Sequence, residues 1–191
     1  MIQFWDIGAE KTEYKEEVID LYENAFPDVE KKSFDWMMKL AQEGKMEIKA
    51  ITEDNEFVGL IILMVTDTTV LVDYFAIAEE KRCGGYGGKT IRAIAQYYGK
   101  KKLNLEIEKE DPDASNATDR KRRKMFYLKN GLKETGLFVN IYYTDFELLT
   151  LDGKLTFEEY VSFLKTILGE EAVAKLNPTL IAQKNTDMVN A

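Results

Sequence analysis

The stretch Arg82-Cys83-Gly84-Gly85-Tyr86-Gly87-Gly88-Lys89-Thr90 limits what this chain can fold into more than any other segment. Ahead of it, residues 70–77 (VLVDYFAI) are rich in β-branched and aromatic side chains and read as a strand. Behind it, Ile91, Ile94, Ala95 and Tyr98 share one face of a helix expected over 90–98. Four glycines within positions 84–88 leave backbone N–H groups unshielded beside the positive end of that helix. A strand that passes into a helix through such a loop makes an α/β architecture and a place for a pyrophosphate.

Two phosphate motifs compete for the loop. A Walker A loop needs Gly-x-x-x-x-Gly-Lys-Ser/Thr, and Gly88-Lys89-Thr90 supplies its end. Its first glycine would stand at Cys83, with Gly84 one residue too close, and no later strand ends in an Asp suited to magnesium. The pattern Arg-x-x-Gly-x-Gly is met in full by Arg82, Gly85 and Gly87. Strand, short acidic turn (Ala78-Glu79-Glu80-Lys81), Arg-x-x-Gly-x-Gly and amphipathic helix together resemble the acetyl-CoA-binding motif of the GNAT superfamily of N-acetyltransferases. About forty residues on, Phe126-Tyr127-Leu128-Lys129-Asn130-Gly131-Leu132 resembles the family segment in which a helix ends at Gly before a strand. The resemblance covers roughly residues 2–148 and is sharpest over 70–132. Leu132 stands where the family has Phe, and the basic run Arg120-Lys121-Arg122-Arg123-Lys124 replaces the Asn and small residue that often precede the Tyr.

The resemblance implies a mixed, mostly antiparallel central sheet flanked by helices. It also implies transfer of acetyl from acetyl-CoA to a primary amine by direct attack in a ternary complex. The backbone of Arg82, Cys83, Gly84, Gly85, Gly87 and Gly88 would hold the pyrophosphate, with Lys89 starting the helix. Phe75 and Ile77 would bond the pantetheine amides as a strand partner does. Tyr127 falls where the family places the acid that protonates the departing thiolate, although a tyrosine beside Phe126 also fits a core position. Family members often deprotonate the amine through a water. The same motifs are compatible with a non-enzymatic acyl-CoA-binding regulatory module, or with a longer acyl group.

Other candidates come from the residues themselves. Asp73 interrupts an apolar strand, where an ionised carboxylate is costly without partners; it is either a catalytic base or a salt-bridged structural residue. Glu106 and Glu108 share a face of the strand at 103–108, which also fits plain solvent-facing alternation. Cys83, beside the phosphates, is no acyl-carrying nucleophile. Phe26 and Trp36 are expected to line the acceptor site, whose occupant fits polyamines, peptide amines or drugs.

The chain has no histidine, which removes Ser-His-Asp and Cys-His machinery and His-ligated zinc. No metal is expected. A single cysteine excludes an intrachain disulfide and suits a reducing cytoplasm. The net charge of −8 favours cationic acceptors over nucleic acid, so the run at 120–124 is read as a solvated helix face near the CoA phosphates. No apolar run approaches the roughly 20 residues of a membrane span, and residues 1–6 lack a basic leader.

Residues 1–150 are expected to form the acetyltransferase domain. Strands are expected at 4–7, 46–51, 57–65, 70–77, 103–108 and 137–148, and helices at 13–25, 34–43, 90–98 and 118–130. Residues 151–191 are expected to form a short helical extension with a loose polar tail. Asp152-Gly153-Lys154 resembles the end of a calcium loop, but Leu148 and Thr150 fall where Asp ligands are required. Thr156 and Glu159 read as a capping box for a helix over 157–168, whose Phe157, Tyr160, Val161, Leu164 and Leu168 make one apolar face. That face is expected to pack inward; a homodimer contact is the alternative.

Overall fold

A computed structural model describes residues 1–8 and 13–183. In chain order the elements are β1 (Ile2–Asp6), α1 (Lys15–Ala25), α2 (Phe34–Gln42), β2 (Met46–Glu53), β3 (Glu56–Val65), β4 (Thr69–Ile77), α3 (Tyr86–Tyr98), β5 (Lys102–Glu108), α4 (Ala117–Lys129), β6 (Lys133–Ile141), β7 (Thr144–Thr150), α5 (Phe157–Leu168), α6 (Glu170–Leu176) and β8 (Thr179–Gln183). Eight mostly antiparallel strands with helices packed on them make a mixed α/β fold. The chain divides into two compact units, Met1–Val65 with Val72–Gly99, and Thr66–Leu71 with Lys100–Ala191.

In the first unit the strands run β1-β2-β3-β4. The β2–β3 hairpin turns on Asp54 and Asn55, both at positive φ (54° and 62°), which short polar side chains tolerate. Every residue from Val58 to Val65 is buried, so β3 reads as a continuous apolar run rather than an alternation. Helix α1 packs on β3 and buries Val18 and Tyr22, while α2 packs on β2 and buries Met37 and Leu40. Ser33 caps α2 by accepting from the Trp36 N–H at 3.4 Å.

One close approach shapes the end of β4. A Cβ on Gly59 would lie 2.3 Å from the Ala76 carbonyl oxygen, so only glycine lets β3 sit this near. On the same edge the Ala78 N–H donates to the Val58 carbonyl at 2.9 Å. Since successive residues of a strand turn their backbone groups to opposite edges, those of Phe75 and Ile77 face away from β3.

In the second unit the order is β5-β7-β6-β8. The single strand expected at 137–148 is two, β6 and β7, folded back at Tyr142 and Tyr143 with φ of 48° and 65°. That turn holds no glycine or proline, so nothing in its composition announced it. Across it the Asn140 side-chain amide donates to Asp145 at 2.7 Å. Strand β8, antiparallel to β6, lies where only a loose tail is expected, because five residues at the foot of a polar segment give too short a pattern. Of that tail, 184–191 lie outside the described residues.

Helix α5 begins with the expected capping box: Thr156 accepts from the Glu159 N–H at 3.2 Å, and Glu159 accepts from the Thr156 N–H at 2.9 Å. Its buried face is Tyr160, Phe163, Leu164 and Ile167, rotated from the expected set. The difference arises because Phe157 and Val161 turn instead toward a groove shared with Val173 and Pro178. Asp152 bonds Thr150 and the Lys154 N–H within its own turn. Among the described residues no cluster of His, Cys, Asp or Glu could hold a metal ion, and no helix is long and apolar enough to cross a membrane.

Four of the five residues of the basic run on α4 make ion pairs. Arg120 and Arg123 meet Glu108 at 2.8 and 3.1 Å, Arg122 meets Asp119, and Lys124 meets Glu147 and Glu134 at 2.8 and 2.6 Å. Glu147 is buried, which pushes its carboxyl above the usual range, and Lys124 works against that push. Burial would lower Lys124, but Glu134 and Glu147 outweigh it and hold the ammonium firmly charged. Lys124→Met, which leaves Glu147 buried without its cation, is expected to cost about 3–5 kcal/mol in urea unfolding at neutral pH; a loss below about 1 kcal/mol, the level of a surface pair, would contradict this account.

Candidate functional site

Strand β4 leaves the first unit's sheet through a single 3₁₀ turn at Glu79–Lys81 and then an extended Arg82, whose Nε donates to the Ile77 carbonyl at 3.3 Å. Cys83, exposed, adopts a left-handed conformation (φ 64°), and Gly85 does so again (φ 76°) at the N-cap of α3. Between them, a Cβ on Gly84 would fall 2.6 Å from the Tyr86 ring. Helix α3 therefore begins at Tyr86, four residues before the expected start at 90, and Gly87 and Gly88 lie in its first turn rather than in the loop. Glycine disfavours a helix interior, which is why the sequence pattern delayed the start; the left-handed entry at Gly85 settles it locally.

This geometry collects donors. The Lys89 N–H bonds back to the Gly85 carbonyl at 3.1 Å, so the turn proper is closed. The N–H groups of Tyr86, Gly87 and Gly88 precede that of Lys89, the first to find an acceptor within the helix, and at the two glycines no side chain covers them. They stand at the positive end of a helix of 13 residues. An anion with several oxygens suits this arrangement.

The lysines beside the loop are engaged elsewhere. Lys89 Nζ reaches both Glu53 oxygens at 3.0 and 2.9 Å and lies 4.9 Å from the Tyr86 ring centroid, and Lys81 meets Glu56 at 2.6 Å. The hydrogen bond to Glu53 raises Lys89, and Lys89 in turn lowers Glu53. Glu53 and Glu56, at the mouth of the β2–β3 hairpin, had no sequence signal linking them to the loop, since the two segments meet only in the folded unit.

Asp73 sits mid-way along β4 and is salt-bridged. Lys32, in the segment between α1 and α2, reaches its two oxygens at 2.5 and 2.7 Å. The same ammonium stands 5.3 Å from the centroid of the Tyr74 ring. Tyr74 packs edge-on against Phe26 (4.9 Å) and Tyr22 (5.0 Å), and Tyr22 also touches Phe34. Burial pushes the Tyr22 and Tyr74 hydroxyls up, so both stay protonated donors. Phe26 thus belongs to this cluster, whereas Trp36 is partly exposed on α2.

Tyr127 lies on α4 of the second unit, buried, with Phe126 edge-on at 5.1 Å. Burial pushes its phenol up to about 12, against a smaller opposing effect of Arg123. Its carbonyl accepts from the N–H groups of Asn130 and Leu132, which ends the helix ahead of Gly131 at φ 98°. Glu106 accepts from the Tyr160 hydroxyl at 2.7 Å, and Glu108 is held by Arg120, Arg123 and Asn116. The first unit thus gathers Asp73, Phe75, Ile77 and the whole loop from Arg82 to Lys89; Tyr127 is placed by the second.

No protein-family model and no curated protein sequence matches the chain. Solved structures do. A protein assigned to the GNAT acetyltransferase family from Bacteroides thetaiotaomicron is 22% identical, with 88% of this chain and 99% of that one covered at a TM-score of 0.71. A GNAT family acetyltransferase from Elizabethkingia anophelis with acetyl-CoA bound is 18% identical over 78% of this chain and 97% of that one, TM-score 0.52. Spermidine N-acetyltransferase from Vibrio cholerae, in complex with CoA and spermine, is 13% identical over 78% and 94%, TM-score 0.56. The order of strands and helices, the glycine-lined start of α3 and these likenesses agree: the chain has the fold of the GNAT acetyltransferases.

Proposed function

We propose that this chain is an N-acetyltransferase that moves acetyl from acetyl-CoA to a primary amine by direct attack in a ternary complex. The observation that carries the reading is the row of backbone donors at Tyr86, Gly87 and Gly88, bare of side chains at the two glycines and reached through left-handed turns at Cys83 and Gly85. A pyrophosphate matches it in charge and in number of acceptors. Solved structures of the same fold hold acetyl-CoA or CoA, and one holds CoA with spermine, which supports the cosubstrate and an amine acceptor.

In this reading Arg82, Cys83, Gly84, Gly85, Gly87 and Gly88 shape the pyrophosphate cradle, and Lys89, steered by Glu53, flanks it. Backbone groups of Phe75 and Ile77, on the edge of β4 turned away from β3, align the pantetheine arm. The amine lone pair attacks the thioester carbonyl, the C–S bond breaks, and Tyr127 gives the departing thiolate its proton before taking one back from solvent. Orienting two bound reactants can supply about 7–11 kcal/mol of the barrier, so much of the rate comes from alignment. The proton lost by the amine leaves through water or to Asp73, whose carboxylate becomes a base once Lys32 has left it. The exposed, unpaired Cys83 fits a cytoplasmic setting.

Two variants test this. Gly87→Asp sets a charged side chain against the pyrophosphate, and calorimetry is expected to show at least a tenfold weaker acetyl-CoA affinity in a folded protein; unchanged affinity would remove the cradle. Tyr127→Phe keeps the ring and loses the proton, so acetyl-CoA affinity holds while kcat falls about 10²-fold. The acid works only while protonated. With its phenol pushed up to about 12, no alkaline fall in wild-type rate is expected from Tyr127 well below that pH. An unchanged kcat in Tyr127→Phe would reduce the residue to packing.

A further inference from the structure

The groups around Lys32 have the chemistry of a receptor for an organic ammonium ion: a carboxylate with two oxygens on the cation, and an aromatic face beside it. We propose that Lys32 is a built-in occupant of this site, and that an unbranched alkyl primary ammonium takes its place on Asp73 and Tyr74. The assignment of that ammonium as the acetyl acceptor rests on the acetyltransferase reading; the site itself does not.

Three features separate this pair from an ordinary structural salt bridge. First, the two partners differ in their freedom. The Asp73 side chain is 11% exposed and fixed on a strand, whereas that of Lys32 is 34% exposed on a long flexible stem, so the cation can leave into water and the carboxylate cannot. Second, the ammonium is not what holds its own segment. The Tyr74 hydroxyl donates to the Glu30 carbonyl at 2.6 Å and accepts from the Lys32 N–H at 3.2 Å. The Tyr22 hydroxyl accepts from the same N–H at 2.8 Å and donates to the Lys32 carbonyl at 2.9 Å. Four backbone hydrogen bonds therefore keep residues 30–32 in place whether or not the side chain stays.

Third, a carboxylate this enclosed on an apolar strand is costly to leave without a cation on it. Release of Lys32 is favourable only when another cation arrives, so the site exchanges one ammonium for another rather than opening empty. That exchange selects for charge and for a thin alkyl arm like the one it displaces. Once an acceptor ammonium is seated, Asp73 is in hydrogen-bond range to take its proton, which frees the lone pair for attack. Lys32 thereby acts as an internal competitor that screens out neutral or bulky ligands.

The test uses n-butylammonium, whose four-carbon arm copies the lysine side chain, titrated into the full chain without acetyl-CoA and followed on the Tyr74 ring by NMR. Lys32→Ala is expected to bind it at least tenfold more tightly than wild type, Lys32→Ala with Asp73→Asn to lose that gain, and n-butanol to bind none of them. Should Lys32→Ala fold poorly, Lys32→Met keeps an unbranched stem of similar length without the charge and is expected to show the same gain. Equal affinity in wild type and both Lys32 variants, or a gain that survives Asp73→Asn, would overturn the proposal. A parallel arm measures acetyl transfer to n-butylamine, where Lys32→Ala is expected to lower KM severalfold more than it changes kcat. Failure of acetyl-CoA to bind overturns the acetyltransferase reading and leaves the ammonium site standing, whereas equal amine affinities overturn the site alone.

Discussion

The structure turns on a steric constraint at the point where β4 gives way to α3. Two backbone positions there are left-handed, a Cβ on Gly84 would meet the Tyr86 ring and force it to move, and Gly59 must lack a Cβ so that the Ala76 carbonyl can approach. A bulkier residue at Gly59 would push the backbone of β4 away from β3, while the left-handed Cys83 and Gly85 set where the first turn of α3 starts. Because the path is fixed, the N–H groups of Tyr86, Gly87 and Gly88 come together without any side chain to aim them. Preorganised donors of this kind cost no reordering when an anion arrives, which is the physical basis for reading the loop as a pyrophosphate cradle.

Charge is arranged to support that role in an unexpected way. A chain with net charge −8 would be a poor partner for a polyanion if binding depended on its surface field. Its cations near the loop, Lys81 and Lys89, are matched by Glu56 and Glu53, and those on α4 by Glu108, Glu134 and Glu147. With these lysines and arginines paired internally, phosphate recognition in the proposed reading falls mainly to backbone donors and the dipole of α3. The same habit of internal pairing places Lys32 on Asp73, where it turns a costly isolated carboxylate into a site that only another cation can claim.

What could be read from the sequence was what is local. The loop glycines, the strand before them, the Thr156 cap and the segment from Phe126 to Leu132 all follow from neighbours a few residues apart. The start of α3 was misplaced by four residues because glycine propensity argues against a helix that Gly85 nevertheless opens. The β6–β7 hairpin was hidden because Tyr142 and Tyr143 carry a turn that Asn or Gly would have advertised. The partners of the site residues were invisible for a different reason: Lys32 and Asp73, Gly59 and Ala76, Glu53 and Lys89 lie far apart in sequence and meet only through sheet register and helix packing. Asp73 shows the limit most clearly, since its burial in an apolar strand predicted a partner but not which one.

The central claim is that this fold transfers an acetyl group, and a direct measurement is the release of free thiol from acetyl-CoA by the wild-type chain across a panel of primary amines. Each reaction would be followed by mass spectrometry of the amine and of the protein. The account predicts thiol release only when an alkyl primary amine is present, one acetyl amide formed per thiol, and no acetyl group left on the protein. Tight binding of acetyl-CoA with no thiol released by any amine would contradict it and would make the chain an acyl-CoA-binding regulatory module instead.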